Sequence, residues 1–381
     1  LPVQLGRRRM LEVLAGSSMP LSAMLAGCRE RSLPEAHAPT APVTGTEGAL
    51  AEMKHLRAAL DQPTALVEPT NGWDGLEKTE WPFLALIFFA AAATRLAALA
   101  PGGSKPRDAA LADARWALER ARRRGIPGAT RTGGVALLPD GHLFVALERF
   151  ARVAQSDEHL AERRHLASAF ERAFAGSPSG ILPSYPSIWW TLDAVPALAG
   201  LALHGSDGSA ARKWEATVRA AAIESATGLI RAVFDAEHQR AIGPVRGCAL
   251  MLAFPELNVV APAFASEQWE LAKTHLVRTL EVVAFAIPLT GVREYPEPLD
   301  LPANVDSGRI VMGLGESASG FGLAAAAAMN DLELLSRLLR SARLVAPPIW
   351  EGERLTLRGV APVGQAAMLR AKVWSAKTLL L

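Results

Sequence analysis

The side chains best suited to proton chemistry crowd into one stretch, GVREYPEPLDLPANVDSGRIVMGLGESASG, residues 291–320. Arg293, Glu294 and Tyr295 precede a Pro-rich loop that ends at Asp306 and Ser307. Such a loop can bring Glu294 and Asp306 together, and two carboxyl groups in different surroundings are the usual equipment for acid/base work on sugars and alcohols. Glu294 and Asp306 are therefore the candidate catalytic carboxylates, with Tyr295 as a proton relay and Arg293 or Arg246 as the cation that tunes them. The competing reading is an Arg293–Asp306 ion pair that locks the loop while Glu294 faces water.

Other chemistries leave no comparable trace. His159 and His165 stand six apart, off the metal-binding spacings of a helix, so no metal is expected. GLGESASG does not match the dinucleotide fingerprint, and there is no nucleophile elbow and no P-loop, so no cofactor is expected. A formal charge of +2 with no basic-aromatic strip argues against a nucleic-acid partner and leaves a small-molecule or carbohydrate ligand.

Half of the 381 residues are hydrophobic, enough for a large core, and their period is helical. KPRDAALADARWALERARRRG, HLAERRHLASAFERAFAG, SAARKWEATVRAAAIESATG and SEQWELAKTHLVRTLEVVAFA are amphipathic. Between them lie helices apolar almost all round, WPFLALIFFAAAATRLAALA, YPSIWWTLDAVPALAGLALHG and SGFGLAAAAAMN, which must be buried. The uncharged run FLALIFFAAAAT is too short to span a membrane. The buried segments begin near Glu80, Asp140, Tyr185, Arg246, Asp306 and Gly364, about one helical hairpin apart. Six such hairpins predict an all-α fold, an (α/α)6 toroid; an open solenoid would have shorter and more similar repeats. Two segments with more strand character, residues 228–244 and 344–362, predict small β-hairpins on one rim.

In a closed ring of hairpins the inner helices all start on one rim, where free N–H groups and positive dipole ends can line a cup. The predicted starts place Asp74, Trp81, Tyr185, Trp189, Trp190, Arg246 and Cys248 there as candidate ligand contacts, the tryptophans as stacking platforms.

The order of YPSIWWTLDAVPALAGLALHG, GLIRAVFD, VRGCAL, GVREYP and VDSGRIVMGLGESASGFGLAAA resembles a group of uncharacterised bacterial exported α/α-toroid proteins. More distantly it resembles the linalool dehydratase/isomerase-like domains. That second resemblance implies acid/base dehydration of an alcohol by Asp, Tyr, His and Cys side chains between helix ends. Tyr185, Cys248, Tyr295 and Asp306 are residues of those kinds.

The first 28 residues have the layout of an export signal: Arg7, Arg8 and Arg9 ahead of a weakly apolar run that ends in LAGC. The arginines resemble a twin-arginine signal and LAGC a lipobox, which would make Cys28 a lipidated residue and anchor the protein in a bacterial cell envelope. Residues 29–46, rich in Pro, Ala and Thr, read as a flexible linker, and residues 47–381 as the toroid. The sequence thus predicts an envelope-associated enzyme acting on a carbohydrate or other polyhydroxy compound by hydrolysis or elimination. The alternatives are a non-catalytic binding or scaffold lipoprotein and a dehydratase or isomerase for an apolar alcohol.

Overall fold

Gly200 has no side chain, and a Cβ there would stand 2.4 Å from the Phe144 ring. Only at that closeness can two neighbouring helices, residues Leu137–Ala154 and Ala194–His204, pack side by side. The structure, a computed structural model describing residues 46–62, 77–282, 287–304 and 306–374, sets helices of this kind side by side around a ring. The signal segment, the linker up to residue 45, Cys28 and Asp74 lie outside the described residues; the linker's last residue, Thr46, opens a helix.

Among the described residues twelve helices alternate between two layers. We number them α1 (Thr46–Asp61), α2 (Glu77–Leu99), α3 (Lys105–Arg124), α4 (Leu137–Ala154), α5 (Leu160–Gly176), α6 (Ala194–His204), α7 (Ser209–Ala221), α8 (Gly247–Val260), α9 (Pro262–His275), α10 (Glu316–Ala328), α11 (Leu332–Val345) and α12 (Pro362–Lys372). The even-numbered helices touch in the order α2, α4, α6, α8, α10, α12 and back to α2. They form a closed inner ring, and the odd-numbered helices pack outside it. The fold is an (α/α)6 toroid.

Burial follows the pattern of the sequence. Inner helix α4 is buried along nearly its whole length, whereas outer helix α7 buries only Trp214 and Val218. Helix α2 is long and apolar enough to cross a membrane, yet most of it is buried inside the ring, as a core helix would be. The amphipathic α3 shows its boundaries in the sequence: the Ser104 hydroxyl accepts from Arg107 N, three arginines fill the last turn, and Gly125 ends the helix at φ +55°.

The sixth hairpin is assembled from α1 and α12, which come from opposite ends of the described chain. Helix α1 packs on α12 and α2, and Lys372 Nζ meets the buried Glu52 carboxylate at 2.7 Å.

Each inner helix from α2 to α10 is followed by an outer one that runs back, and α12 has α1 in that place, so the inner N-termini share one rim. The β-hairpins lie in the connections that climb to that rim. These are β1 (Arg131–Thr132) with β2 (Val135–Ala136), β4 (Arg231–Asp235) with β5 (Arg240–Val245), β6 (Val277–Val282) with β7 (Ile287–Val292), β8 (Ile310–Val311) with β9 (Leu314–Gly315), and β10 (Pro348–Glu351) with β11 (Arg354–Leu357). The short β3 (Trp189–Trp190) adds an edge to β4. The pair β10–β11 falls within one of the two segments of predicted strand character, and β4–β5 matches the other to within one residue at Val245.

Three expectations are corrected. The amphipathic segment 266–286 is not helical throughout. Helix α9 stops at His275 and the chain enters β6, where β-branched residues favour an extended backbone and Thr279 and Thr290 pair their hydroxyls across the strands at 3.0 Å. The third buried helix begins at Ala194 rather than Tyr185, because Tyr185 bridges to Ile188 in a turn and the two tryptophans join the sheet. The fifth begins at Glu316, with β8–β9 inserted after Asp306, so Asp306 is not its N-cap.

Candidate functional site

Arg246 is the hinge of the rim. It stands at the junction of β5 and α8 with an extended backbone, and its guanidinium reaches three acceptors at once. Nε donates to Glu294 Oε1 at 2.9 Å, Nη1 to Asp306 Oδ2 at 2.9 Å, and Nη2 to Asn304 Oδ1 at 2.5 Å. Burial pulls the guanidinium pKa down, but Cys248, Glu294 and Asp306 more than offset it, so it is held firmly cationic. The Trp190 ring lies beneath it, 5.7 Å from the guanidinium carbon.

Glu294 arrives from β7 and fits its carboxylate to the start of α8. Its main-chain oxygen accepts from Gly247 N at 2.7 Å, Oε2 accepts from Cys248 N at 3.2 Å, and the Cys248 thiol donates to Oε1 at 3.1 Å. A segment distant in sequence thus caps α8 and meets the positive end of its dipole. The approach needs glycine: a Cβ on Gly247 would stand 2.0 Å from Arg293 O. The Glu294 side chain is fully buried, so the expectation that it acts directly on a ligand is corrected: it positions Arg246. Burial raises its carboxyl above the usual range, with Arg246 and Cys248 pulling it back. Burial and Glu294 together push the Cys248 thiol well up, which leaves it a hydrogen-bond donor rather than a nucleophile.

Asp306 keeps its side chain 31% exposed while Arg246 holds one of its oxygens. Asn304 sets this geometry, because its Oδ1 also accepts from the backbone N–H of Asp306 and Ser307 at 3.2 and 3.1 Å. Tyr295, almost buried, lies within electrostatic reach of Arg246, Glu294, Cys248 and Asp306; burial raises its phenol.

Asp193, half-buried just before α6, was not among the residues singled out by sequence. Burial pushes its carboxyl up to about 7; the Ser184 hydroxyl pulls the other way, and Asp306 adds to the rise. Asp193 is therefore a second carboxyl group within electrostatic reach of Asp306. Its place in the apolar run TLDAVPAL reads as helix interior, and the one available signal was that Asp can open a helix.

The remaining predicted residues divide. Trp189 and Trp190 are partly buried on β3, where successive side chains point to opposite faces. Tyr185 is buried with its hydroxyl unpartnered among the described residues. One expectation is corrected. Arg293 does not touch Asp306; its guanidinium donates to Tyr295 O at 3.0 Å and to Glu297 at 3.2 Å. Trp81 is partly buried and stacks on Phe321, with ring centroids 6.3 Å apart, against the edge of the core. Among the described residues no group of three or more His, Cys, Asp or Glu side chains could hold a metal.

A wider cleft between α1, α3 and the β10–β11 hairpin is lined by Lys54, Arg57, Asp61, Asp113, Glu353 and Arg354. Most of its charges are spent on one another: Lys54 meets Glu353 at 2.6 Å and Arg57 meets Asp113 at 3.4 Å. It lacks the combination of carboxylates, tyrosine and tryptophan that the rim provides.

No protein-family model matches the chain, and no curated protein matches it in sequence. The structure is similar to that of a D-mannose isomerase, with a TM-score of 0.52 at 9% identity over 88% of this chain and 98% of that one. It also resembles a family 76 glycoside hydrolase from a bovine Bacteroides thetaiotaomicron strain, with a TM-score of 0.47 at 9% identity over 84% of this chain and 77% of that one. At this identity the likeness to the isomerase is one of fold.

Proposed function

We propose that this toroid is an enzyme that binds a carbohydrate or other polyhydroxy compound at the inner-helix rim and acts on it by acid/base chemistry. The observation that carries the reading is Asp306, held against Arg246 at 2.9 Å with its side chain 31% exposed, beside which Asp193 lies within electrostatic reach with its carboxyl pushed up to about 7. Near neutral pH such a pair offers a proton on one side and an anionic acceptor on the other, the arrangement required to move a proton on or off a hydroxyl-bearing carbon or a leaving oxygen. Tyr295, buried within electrostatic reach of these groups, is the proton relay in this reading, and Trp189 and Trp190 give the rim aromatic surface for a sugar face. The toroid fold shared with a D-mannose isomerase, an enzyme of a monosaccharide by its name, agrees with that substrate class.

The test is a panel of free sugars, glycosides and uronides incubated with the full-length protein in D2O and followed by NMR. Turnover or solvent-deuterium incorporation is expected with at least one of them. Asp193→Asn and Asp306→Asn should each lower the rate by about 100-fold or more, as loss of a general acid or base does. Glu294→Gln should act mainly on stability, because it breaks a buried ion pair. A panel with neither turnover nor binding, or full activity in both aspartate variants, would sink the proposal.

The alternative of a dehydratase for an apolar alcohol needs the Cys248 thiol in a dry pocket, and that thiol is engaged with Glu294. The envelope location rests on the sequence around Cys28: fatty-acid labelling of the intact protein in a bacterial host should be lost in Cys28→Ser, and unlabelled wild type would refute the anchor.

A further inference from the structure

Arg246 holds two side chains next to each other, and each keeps one polar atom unspent. Its Nη1 donates to Asp306 Oδ2 at 2.9 Å and its Nη2 to Asn304 Oδ1 at 2.5 Å. Both nitrogens belong to one rigid, planar fork, so the two groups they grip are neighbours. Asp306 Oδ1 has no donor among the described residues, and the side chain is 31% exposed. Asn304 is half-buried; its Nδ2 has no acceptor among the described residues and is not an enclosed atom, so it is open to solvent.

The orientation of that amide is fixed by its other end. Asn304 Oδ1 takes three donors, Arg246 Nη2 and the backbone N–H groups of Asp306 and Ser307 at 3.2 and 3.1 Å. A flipped amide would set its own N–H groups against all three, so Nδ2 stays on the open side. The turn itself is pinned by the buried Ser307 hydroxyl, which accepts from Asn304 N at 2.9 Å. An aspartate at position 304 would serve the same three donors at least as well, through charge-assisted bonds. What the amide adds is a donor that nothing in the loop uses.

We infer that Asp306 and Asn304 form a subsite for two adjacent hydroxyl groups of the ligand. One hydroxyl donates to Asp306 Oδ1, and its neighbour accepts from Asn304 Nδ2. An acceptor beside a donor suits the vicinal diol of a sugar, whereas an ionised carboxylate or phosphate has no proton to give Asp306. Asn304 is then a specificity-determining residue. The subsite rests on the proposal of a sugar site at the rim, and it names the part of the sugar that the rim grips.

The test titrates D-mannose, D-glucose, D-galactose, D-glucuronate and their methyl glycosides against the full chain by NMR, and then the monodeoxy analogues of whichever binds. Asn304→Asp keeps the oxygen that Arg246 grips and loses the donor. It should weaken the parent sugar by about 10-fold, the worth of a hydrogen bond, yet bind one monodeoxy analogue as wild type does, because the hydroxyl that Asn304 served is missing. Asp306→Ala should behave in the same way towards a second analogue, deoxygenated at the adjoining carbon. If no sugar binds wild type, the sugar site fails and takes the subsite with it. If a sugar binds, the subsite alone is overturned by an unchanged affinity in Asn304→Asp, by an equal loss for the parent and every analogue, as a merely disordered loop would give, or by two matched analogues whose positions do not adjoin. Should Asn304→Asp fail to fold, the wild-type series decides: two adjoining deoxy positions must each cost about 10-fold, and losses that never fall on adjoining carbons overturn the subsite.

Discussion

A carboxylate engaged by an arginine, a thiol and a backbone N–H has little left to offer a substrate, and Glu294 is in that state. Its role is to hold Arg246, which in turn holds Asp306 and Asn304. Asp193 is the residue left under tension, because the fold favours its neutral form. The native state then binds the Asp193 proton more tightly than the unfolded chain, so stability should fall as pH rises from about 4 to about 7. Asp193→Asn removes that dependence. It should make the protein more stable than wild type at pH 8 and bring no gain at pH 4, measured by urea denaturation; an equal effect at both pH values would mean that Asp193 is not strained in the fold. The sequence made Asp306, Tyr295 and Arg246 legible because they cluster beside turn residues at element ends. It hid Asp193 in an apolar run, and it hid the fate of Glu294, since burial depends on contacts across 46 or more residues.

The elements were legible where period and boundary residues agreed, as in α3, α5 and the apolar inner helices. They were misread where amphipathic rhythm ran on into β-branched residues, as at Val277, since a half-buried strand and a helix end can share composition. The junction of β7 with α8 is the element-scale weak point. Gly247→Ala would drive a methyl group into Arg293 O and push Glu294 away from the α8 N-terminus. A loss of about 3 kcal/mol or more is expected from overpacking and the weakened ion pair together, read as a lowered midpoint in denaturant. A variant as stable as wild type would mean that β7 and α8 can separate freely. Gly200, pressed on Phe144, is the parallel case between α4 and α6.

At the scale of the whole molecule, a toroid divides its labour between rim and barrel. The rim carries a partly exposed aspartate, a strained one and aromatic surface, while the barrel is filled by apolar side chains and by the charges around Glu256. The six-beat rhythm was readable because each hairpin must bury one helix and expose the other. The buried cluster of Arg149 and Arg370 on Glu256 was not, because its members are spread from residue 149 to residue 370 and no local window contains two of them.

The hairpin shared by α1 and α12 bears on how the protein is made. Five hairpins lie in unbroken stretches of chain and can form one after another as the ribosome delivers them, growing an open crescent. The sixth exists only when α12 has left the ribosome and met α1, placed early in the sequence and waiting with Glu52 for Lys372. Until then the flanks of α2 and α10 stay uncovered, so closing the ring is a single event that waits for α12.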